Sequence, residues 1–330
     1  MRDRTAPALL LTLACLAVLG WTGQSWGQAK PARIGILTFA ASVGDDAPGQ
    51  SEEPLRQTLA EYGWVDGKNL SLEFRKASGD PPQFADAAAD LIRLKVDILC
   101  ADSAPATRAA YAATRTIPIV ALDFTNDPVA AGYVETYGRP GRNLTGVFLD
   151  APGFAAKWLE LLRAFIPRLS RVAVLWDPSP GATHLEALQA VAPSLGVKLQ
   201  VLEVRKPDDL DMAFASLRGR PQALIILPSP MTWGQSARLA ELARTHRLPA
   251  TSMAPQFARS GGALTYGPDL RSALERLAVL VAKVLNGASP ADLPVERPAK
   301  FNLIVNSKTI KALGLTVPDS VLVRADEVIR

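Results

Sequence analysis

Histidine and cysteine, which serve many enzymes as general base or nucleophile, are scarce in this 330-residue sequence. It contains two histidines, His184 and His246, and two cysteines, Cys15 and Cys100. Neither histidine has a second histidine at metal-ligand spacing, and two cysteines cannot form a thiolate metal cage alone. The sequence also lacks a G-x-G-x-x-G dinucleotide fingerprint and a G-x-S-x-G nucleophile elbow. We therefore expect a protein that is not an enzyme, with no catalytic residue, no metal site and no cofactor.

The thiol and imidazole groups are interpreted as structural. Cys100 closes an apolar run, 96–100, that is typical of a buried strand, where a thiol behaves as a small hydrophobic group. A nucleophilic thiolate would need a helix N-terminus or cationic neighbours to lower its pKa. We expect His184 and His246 to be solvated or helix-capping rather than general bases.

The overall composition is that of an ordinary globular protein. Lys and Arg total 36 against 32 for Asp and Glu, which gives a net charge of +4, and 48% of the residues are apolar. This apolar fraction argues against intrinsic disorder. The small positive excess is spread evenly along the chain, whereas nucleic-acid binding would require a clustered basic surface. We expect no nucleic-acid partner.

The first 27 residues have the pattern of a secretory signal peptide. A basic start with Arg2 and Arg4 precedes a short apolar run at 8–19, and small residues flank Trp26 at the end of the segment. We predict cleavage after about Gly27 and a periplasmic location. An uncleaved membrane anchor stays open as an alternative, although the run is shorter than the roughly 20 residues of a span. A lipoprotein anchored through Cys15 would need a better lipobox than residues 12–15 provide.

The remaining chain alternates between strand and helix patterns. Several strand-like runs are apolar on both faces, as parallel strands covered by helices on each side require, and amphipathic patterns separate them, the longest at 269–285. The expected strands lie at 33–39, 70–75, 96–101, 117–124, 144–149, 171–176, 198–204, 223–227, 249–253 and 263–266. Repeated strand–helix units of this kind give doubly wound sheets. Ten strands would make an unusually wide sheet, so the sequence predicts an α/β fold with two sheets of about five strands, with a break near 150–153.

Polar residues cluster in the loops expected at the carboxyl ends of the strands, where open parallel sheets bind ligands. Ser103 and Thr107 could hold a carboxylate near a helix N-terminus, and Asp123 or Asp269 could hold an ammonium group. The candidate ligand-binding residues are Thr38, Ser42, Ser103, Thr107, Asp123, Asn126, Asp177, Ser229, Trp233, Tyr266 and Asp269. Capping and turn chemistry is the alternative role for each residue taken singly.

Five segments carry a resemblance to a known family. They are TIPIVALDFTNDPVAAGYV (116–134), RPGRNLTGV (139–147), RVAVLWDP (171–178), GGALTYGPDL (261–270) and LPVERPAKFNLIVNSKTIKALGLTVP (293–318). In these segments the chain resembles the ABC-transporter substrate-binding proteins whose known members include tryptophan- and tyrosine-uptake proteins. Where such proteins commonly read R-P-G-G-N, this chain has Arg142 in place of the second glycine, which would be strained if the turn needs a positive φ there.

The resemblance implies a type I periplasmic-binding-protein fold, in which two doubly wound lobes are joined by a hinge of three crossovers. The crossovers would lie near 146–150, 263–268 and 297–302. The implied first lobe comprises residues 32–148 and about 267–296, and the second comprises 149–266 and about 297–330.

The resemblance further implies a function in solute uptake. The protein would act as a monomer, capture a small-molecule solute such as an amino acid or an aromatic carboxylate, and present it to an ABC permease in the inner membrane. Two other functions stay open: a periplasmic sensory module for a membrane receptor, and a hydrolase or isomerase on the same scaffold that uses Asp and His.

Overall fold

The computed structural model describes residues 30–39, 53–77 and 81–330, with the side chains of Phe39 and Pro152 outside the description. The predicted signal peptide and the candidate residue Ser42 lie outside the described residues. The described chain from Pro31 onward is one compact unit. None of the helices in these ranges is both long enough and apolar enough to cross a bilayer.

Twelve strands occur in the described residues, and all ten predicted strands are among them. The strands are β1 (Ala32–Phe39), β2 (Leu70–Ala77), β3 (Ile98–Ala101), β4 (Ile119–Asp123), β5 (Leu144–Phe148), β6 (Arg171–Trp176), β7 (Lys198–Glu203), β8 (Ala223–Ile226), β9 (Ala250–Ser252), β10 (Leu264–Pro268), β11 (Phe301–Asn306) and β12 (Glu327–Ile329). Strands β11 and β12, which lie after the Pro-rich connector at 286–298, were not predicted from the sequence.

Helices separate most of these strands. They are α1 (Glu53–Glu61), α2 (Pro81–Arg93), α3 (Ala104–Ala113), α4 (Ala151–Phe165), α5 (Thr183–Val191), α6 (Asp209–Ala215), α7 (Pro230–Gly234), α8 (Ser236–Thr245), α9 (Pro255–Arg259), α10 (Leu270–Leu285), α11 (Ser307–Ala312) and α12 (Asp319–Leu322). The predicted long helix at 269–285 is confirmed as α10, and Asp269 is its N-cap, accepting a hydrogen bond from the Ser272 amide.

The first sheet has five parallel strands in the order β2-β1-β3-β4-β5. Successive strand residues alternate between two apolar cores. Leu37 belongs to the core that packs under α2 and α3, whereas Ile36 belongs to the core under α1 and α10. Helices cover both faces of this sheet, which explains why its strands are apolar on both faces.

The second sheet has seven strands in the order β12-β11-β10-β9-β8-β6-β7. All neighbours are parallel except β10 and β11, which pair antiparallel over Leu264–Pro268 and Phe301–Asn306. Apolar cores again cover both faces. The α/β prediction with two mainly parallel sheets is confirmed, and the second sheet is two strands wider than expected.

The chain passes between the two sheets three times, and the three passages lie together. After β5 it enters α4, after β10 it enters α10, and after Pro294 it runs toward β11. The Phe148 amide donates to the Glu296 carbonyl over 2.9 Å, and the Asp269 amide donates to the Lys300 carbonyl over 2.9 Å. An ion pair of 3.0 Å joins Arg297 to Asp150. These contacts hold the three passages side by side, and the three passages together are called the strap.

The turn that departs from the family pattern carries no strain at the substituted residue. The positive φ of this turn falls at Gly141, with a value of 69°, while Arg142 is not among the non-glycine residues with positive φ. The Arg142 guanidinium instead donates to the Tyr111 hydroxyl over 3.0 Å. An arginine is therefore accommodated at this position.

Candidate functional site

A cavity lies between the strand-end loops of the two sheets. Its volume is about 140 Å³. The first sheet and its helices contribute Ile36, Thr38, Leu55, Cys100, Ala101, Asp102, Ser103, Ala104, Pro105, Leu122, Phe124, Thr125, Leu270, Leu274 and Leu277 to its lining. The second sheet contributes Pro180, Pro228, Ser229, Pro230, Trp233 and Met253. Four of the sequence-predicted residues, Thr38, Ser103, Ser229 and Trp233, are thus brought to one cavity.

The polar end of the cavity is built where β1 and β3 end. The Thr38 hydroxyl donates a hydrogen bond to the Asp102 carboxylate. Ser103 is the N-cap of α3, but its side chain makes no capping hydrogen bond. Its Oγ is buried and has no hydrogen-bond partner. A helix N-terminus also has unpaired backbone N–H groups, so this end offers a carboxylate acceptor beside a set of donors.

Thr107 lies one helical turn after Ser103 and carries a second unpaired hydroxyl. The residue is fully buried, and its Oγ1 has no hydrogen-bond partner. Thr107 is not among the residues that line the cavity. Its role as a ligand contact stays a prediction.

The opposite wall is held rigid by a capping box at the start of α7. The Thr232 amide donates to Ser229 Oγ over 3.0 Å, and the Ser229 amide donates to Thr232 Oγ1 over 2.9 Å. This reciprocal arrangement satisfies two donors at the helix start. It fixes the backbone from which the partly exposed Trp233 indole lines the cavity.

The other end of the cavity is apolar. Ile36 and Cys100 are neighbours in the β1–β3 register, and Leu122 follows on β4. Helices α1 and α10 close this end with leucine side chains. Burial, with a smaller contribution from Asp102, raises the pKa of the Cys100 thiol to about 12, so the thiol stays neutral. The prediction that Cys100 is a buried strand residue is confirmed.

Asp123 organises the loop that follows β4. Its carboxylate accepts hydrogen bonds from the backbone and hydroxyl of Thr125 and from the backbone and side chain of Asn126, at 2.7 to 3.1 Å. Complete burial raises the pKa of this carboxyl, and the four hydrogen bonds act in the opposite direction. Asp123 and Asn126 do not line the cavity, but they hold Phe124 and Thr125, which do.

Three further predicted residues have local partners and are not among the lining residues. Asp177 accepts hydrogen bonds from the amide and hydroxyl of Ser179, both at 2.9 Å. Asp269, besides capping α10, accepts a hydrogen bond from the side-chain amide of Asn302 over 2.6 Å. The Tyr266 ring is stacked against Phe154 with centroids 5.2 Å apart. Their roles as ligand contacts stay predictions.

Asp102 and the leucines of α10 were not selected as site residues from the sequence. Asp102 directly follows β3 and precedes Ser103, so the rule that selected Ser103 from this loop could also have found it. Leu270, Leu274 and Leu277 lie in the segment that the sequence predicted only as an amphipathic helix. No sequence pattern indicates that part of it lines a cavity.

Two hydrogen bonds connect the sheets beside the cavity. His184 Nε2 on α5 lies 2.6 Å from the Phe124 carbonyl oxygen, and Arg108 on α3 donates to the Pro180 carbonyl over 3.2 Å. The expectation of a solvated or capping His184 is wrong, because the side chain is only 4% exposed. Burial lowers its pKa to about 4, so the imidazole is neutral near pH 7. His246 is exposed at the C-cap of α8, as expected.

No group of three or more His, Cys, Asp or Glu side chains that could bind a metal ion occurs within 30–39, 53–77 and 81–330. Among the described lining residues, the cavity has a single ionisable carboxylate, Asp102, and no cationic side chain. This set suits a small organic molecule with one cationic group and an apolar body.

Comparison with known proteins identifies the family of this chain. The family model for ABC transporter substrate binding proteins matches residues 36–329. The chain belongs to this family. This substrate-binding protein is 26% identical to a tyrosine-binding protein of Clostridioides difficile over 263 residues, which cover 78% of this chain and 75% of the relative.

Solved structures show the same fold. An ABC domain from Streptococcus pneumonia in complex with L-Trp has a TM-score of 0.82 at 24% identity, covering 91% of this substrate-binding protein and all of that chain. A ligand-free, open substrate-binding protein from Clostridium difficile has a TM-score of 0.67 at 26% identity, covering 90% of this chain and 99% of that one. The fold implied by the sequence resemblance, that of the type I periplasmic binding proteins, is confirmed.

Proposed function

We propose that this substrate-binding protein is the extracytoplasmic receptor of an ABC import system, which holds an amino acid between two lobes and presents it to a membrane permease. The observation that carries the proposal is the cavity walled by strand-end loops from both sheets. A ligand in that position contacts both halves and favours their closed arrangement.

The proposed lobes are those expected from the sequence: 32–148 with about 267–296, and 149–266 with about 297–330. Core packing supports this division. Helix α10 contributes Leu277 and Val281 to the core of the first sheet, whereas β11 and β12 are strands of the second sheet. The strap that joins Phe148 to Glu296 and Arg297 to Asp150 is the proposed hinge.

The charges around the cavity favour a zwitterion. The Asp102 carboxylate can accept an ammonium group, while the Ser103 hydroxyl and the amides at the start of α3 can donate to a carboxylate. An aromatic carboxylate without an amine would bring a second negative charge beside the Asp102 carboxylate and would supply no cation to pair with it. The proposal therefore selects an amino acid over a simple carboxylate. A relative that binds tyrosine and a fold neighbour in complex with L-Trp support the same class.

We also propose that the described arrangement is the closed one. His184 and Arg108 bond loops of the first sheet to loops of the second. The fold overlap is greater with the L-Trp complex than with the open, ligand-free protein, at 0.82 against 0.67, although the sequence identities are similar. The proposal also includes export to the periplasm, directed by residues 1–27. The protein then acts as a monomer and delivers its ligand to a permease.

Isothermal titration calorimetry of the purified chain from residue 28 against the twenty amino acids and a set of aromatic carboxylates tests the ligand class. We expect saturable 1:1 binding of at least one amino acid, and a smaller radius of gyration on binding in small-angle scattering. A well-folded protein that binds no amino acid would contradict the proposal. Uptake of the bound amino acid by membranes that carry the cognate permease, with and without this protein, tests delivery.

A further inference from the structure

The cavity is polar at one end and apolar at the other, and the strand register gives the distance between them. Thr38 lies two residues after Ile36 on β1, and Asp102 lies two residues after Cys100 on β3. A strand advances about 3.3 Å per residue, so the two ends are about 6 to 7 Å apart. An amino acid held at the polar end would therefore place the far edge of a side-chain ring, and any hydroxyl at its para position, against the apolar end.

The described side chains at the apolar end have almost no hydrogen-bonding capacity. It is lined by Ile36, Leu55, Cys100, Leu122, Leu274 and Leu277. Five of these are at most 5% exposed, and Leu274 is partly buried. Among these six side chains, the single heteroatom is the Cys100 sulfur, and a neutral thiol is a weak donor and a weak acceptor. A polar atom placed here would lose its water and gain no comparable partner.

The size of the cavity is consistent with one ring. An engineered protein cavity of about 150 Å³ lined by apolar side chains binds benzene, and the whole cavity here, its polar end included, has about 140 Å³, so its apolar end has room for at most one ring. Apolar contact along Leu274 and Leu277 would stabilise a ring or a branched aliphatic group through the area removed from water.

We infer, resting on the proposed function, that the ligand is a hydrophobic amino acid whose side chain ends in carbon, and that the protein discriminates against tyrosine. The ammonium and carboxylate groups lie at Asp102 and Ser103, and the side chain extends toward Cys100 and Leu277. A para-hydroxyl on the ring would reach this apolar end. This assignment separates the protein from its tyrosine-binding relative within one family.

Amino acid pairs that differ by polarity at nearly constant shape test the inference by calorimetry. We expect L-phenylalanine to bind about 10- to 100-fold more tightly than L-tyrosine, which is the rejection that an apolar pocket achieves against an added hydroxyl. L-leucine against L-asparagine and L-tryptophan against 5-hydroxy-L-tryptophan are the further pairs. The inference is supported if, in each pair that binds, the protein binds the apolar amino acid at least tenfold more tightly than the polar one.

The possible failures are distinct. If amino acids bind but tyrosine or another polar member binds as tightly as its apolar partner, the inference is wrong and the proposed function stands. If no amino acid binds to the folded protein, the proposed function fails and the inference fails with it.

A variant at the apolar end checks the assigned position. Cys100→Ser introduces a hydroxyl in place of the thiol, and we expect it to reduce the phenylalanine-to-tyrosine affinity ratio at least threefold. Val120→Thr is the matched control, because Val120 is fully buried in the same core but does not line the cavity; its ratio should equal that of wild type. An unchanged ratio in a folded Cys100→Ser protein would contradict the assigned orientation. Should Cys100→Ser not fold, the wild-type ratios alone decide.

Discussion

The imidazole Nε2 of His184 lies 2.6 Å from the Phe124 carbonyl oxygen, a hydrogen bond that joins α5 beside the second sheet to the loop after β4 of the first. Because a carbonyl can only accept, Nε2 carries the proton. Nδ1 is therefore unprotonated, and it is buried without a hydrogen-bond partner. The ring packs near Phe154 and Trp158, with centroids 6.4 and 5.7 Å away. Protonation of this imidazole would place a charge among aromatic side chains.

We predict that His184 makes the protein less stable in acid. Its pKa is lowered from 6.5 to about 4, so between these values the unfolded chain binds more protons than the folded one. The contribution of the neutral imidazole to the free energy of unfolding is fully present above about pH 6.5, and it is lost as the pH falls toward 4. The difference amounts to at most about 3 kcal/mol. Urea unfolding at pH 7.5, 6.0 and 4.5 measures it.

A neutral replacement provides the control for this pH effect. His184→Gln keeps an N–H donor for the Phe124 carbonyl and does not titrate, so its free energy of unfolding should vary less between pH 7.5 and 4.5 than that of wild type. His246→Gln, at an exposed position, should follow wild type. Parallel pH profiles for wild type and His184→Gln would refute the prediction.

We predict that Asp102→Asn weakens amino acid binding about 10- to 100-fold. The substitution keeps the side-chain shape but removes the charge that would pair with the ammonium group, and hydrogen bonds to charged groups contribute about 1.5–3 kcal/mol. Calorimetry of the amino acid that binds wild type gives the ratio. Asp177→Asn is the comparison, because the Asp177 oxygens already accept from Ser179; we expect less than a threefold change. A larger loss in Asp177→Asn than in Asp102→Asn would reverse the assignment.

We predict that Ser103→Ala separates binding from stability. The Ser103 Oγ is buried without a partner within the protein, so its removal should not lower the free energy of unfolding and should raise it by at most about 1 kcal/mol. Loss of one donor to the ligand carboxylate should reduce affinity about tenfold, or about 1.4 kcal/mol. Denaturant unfolding and calorimetry on the same sample measure the two effects.

Thr251→Val is the control for this experiment. Thr251 also carries a buried hydroxyl without a partner, but it lies in β9 and does not line the cavity. Removing an unpaired buried hydroxyl should raise the free energy of unfolding by about 1 kcal/mol and leave affinity unchanged. Equal affinity of Ser103→Ala and wild type would exclude Ser103 as a ligand donor.

We predict that Gly146→Ala is strongly destabilising. Gly146 is the register partner of Ala121 in the β4–β5 pair, and an added Cβ would lie 2.0 Å from the Ala121 carbonyl oxygen. Because the obstacle is backbone, relief requires a shift of the strand, and we expect a loss of at least about 3 kcal/mol. Gly196→Ala, at φ 65° with open space around it, should lose about 1 kcal/mol. Thermal unfolding that ranks the two variants equally would contradict the clash.

The sequence by itself determined the strand–helix alternation. Runs such as 223–227 are apolar on both faces, and this property depends only on residue order, so β8 and its neighbours follow from the sequence alone. Residue order also allowed for the cap at Asp269 before α10, because capping was the alternative role for each strand-end residue. The strand β12 could not be predicted, because three residues carry too little pattern and gain their stability from pairing with β11.

The tertiary structure decided which strand-end residues meet. Asp123, Asp177 and Asp102 all lie just at or after the end of a strand, yet hydrogen bonds within their own loops occupy the first two, while Asp102 lines the cavity. Burial of His184 and the apolar end formed with α10 depend on contacts between residues at least 60 positions apart. Such contacts leave no periodic signal in the sequence, because only the packed sheets bring these side chains together.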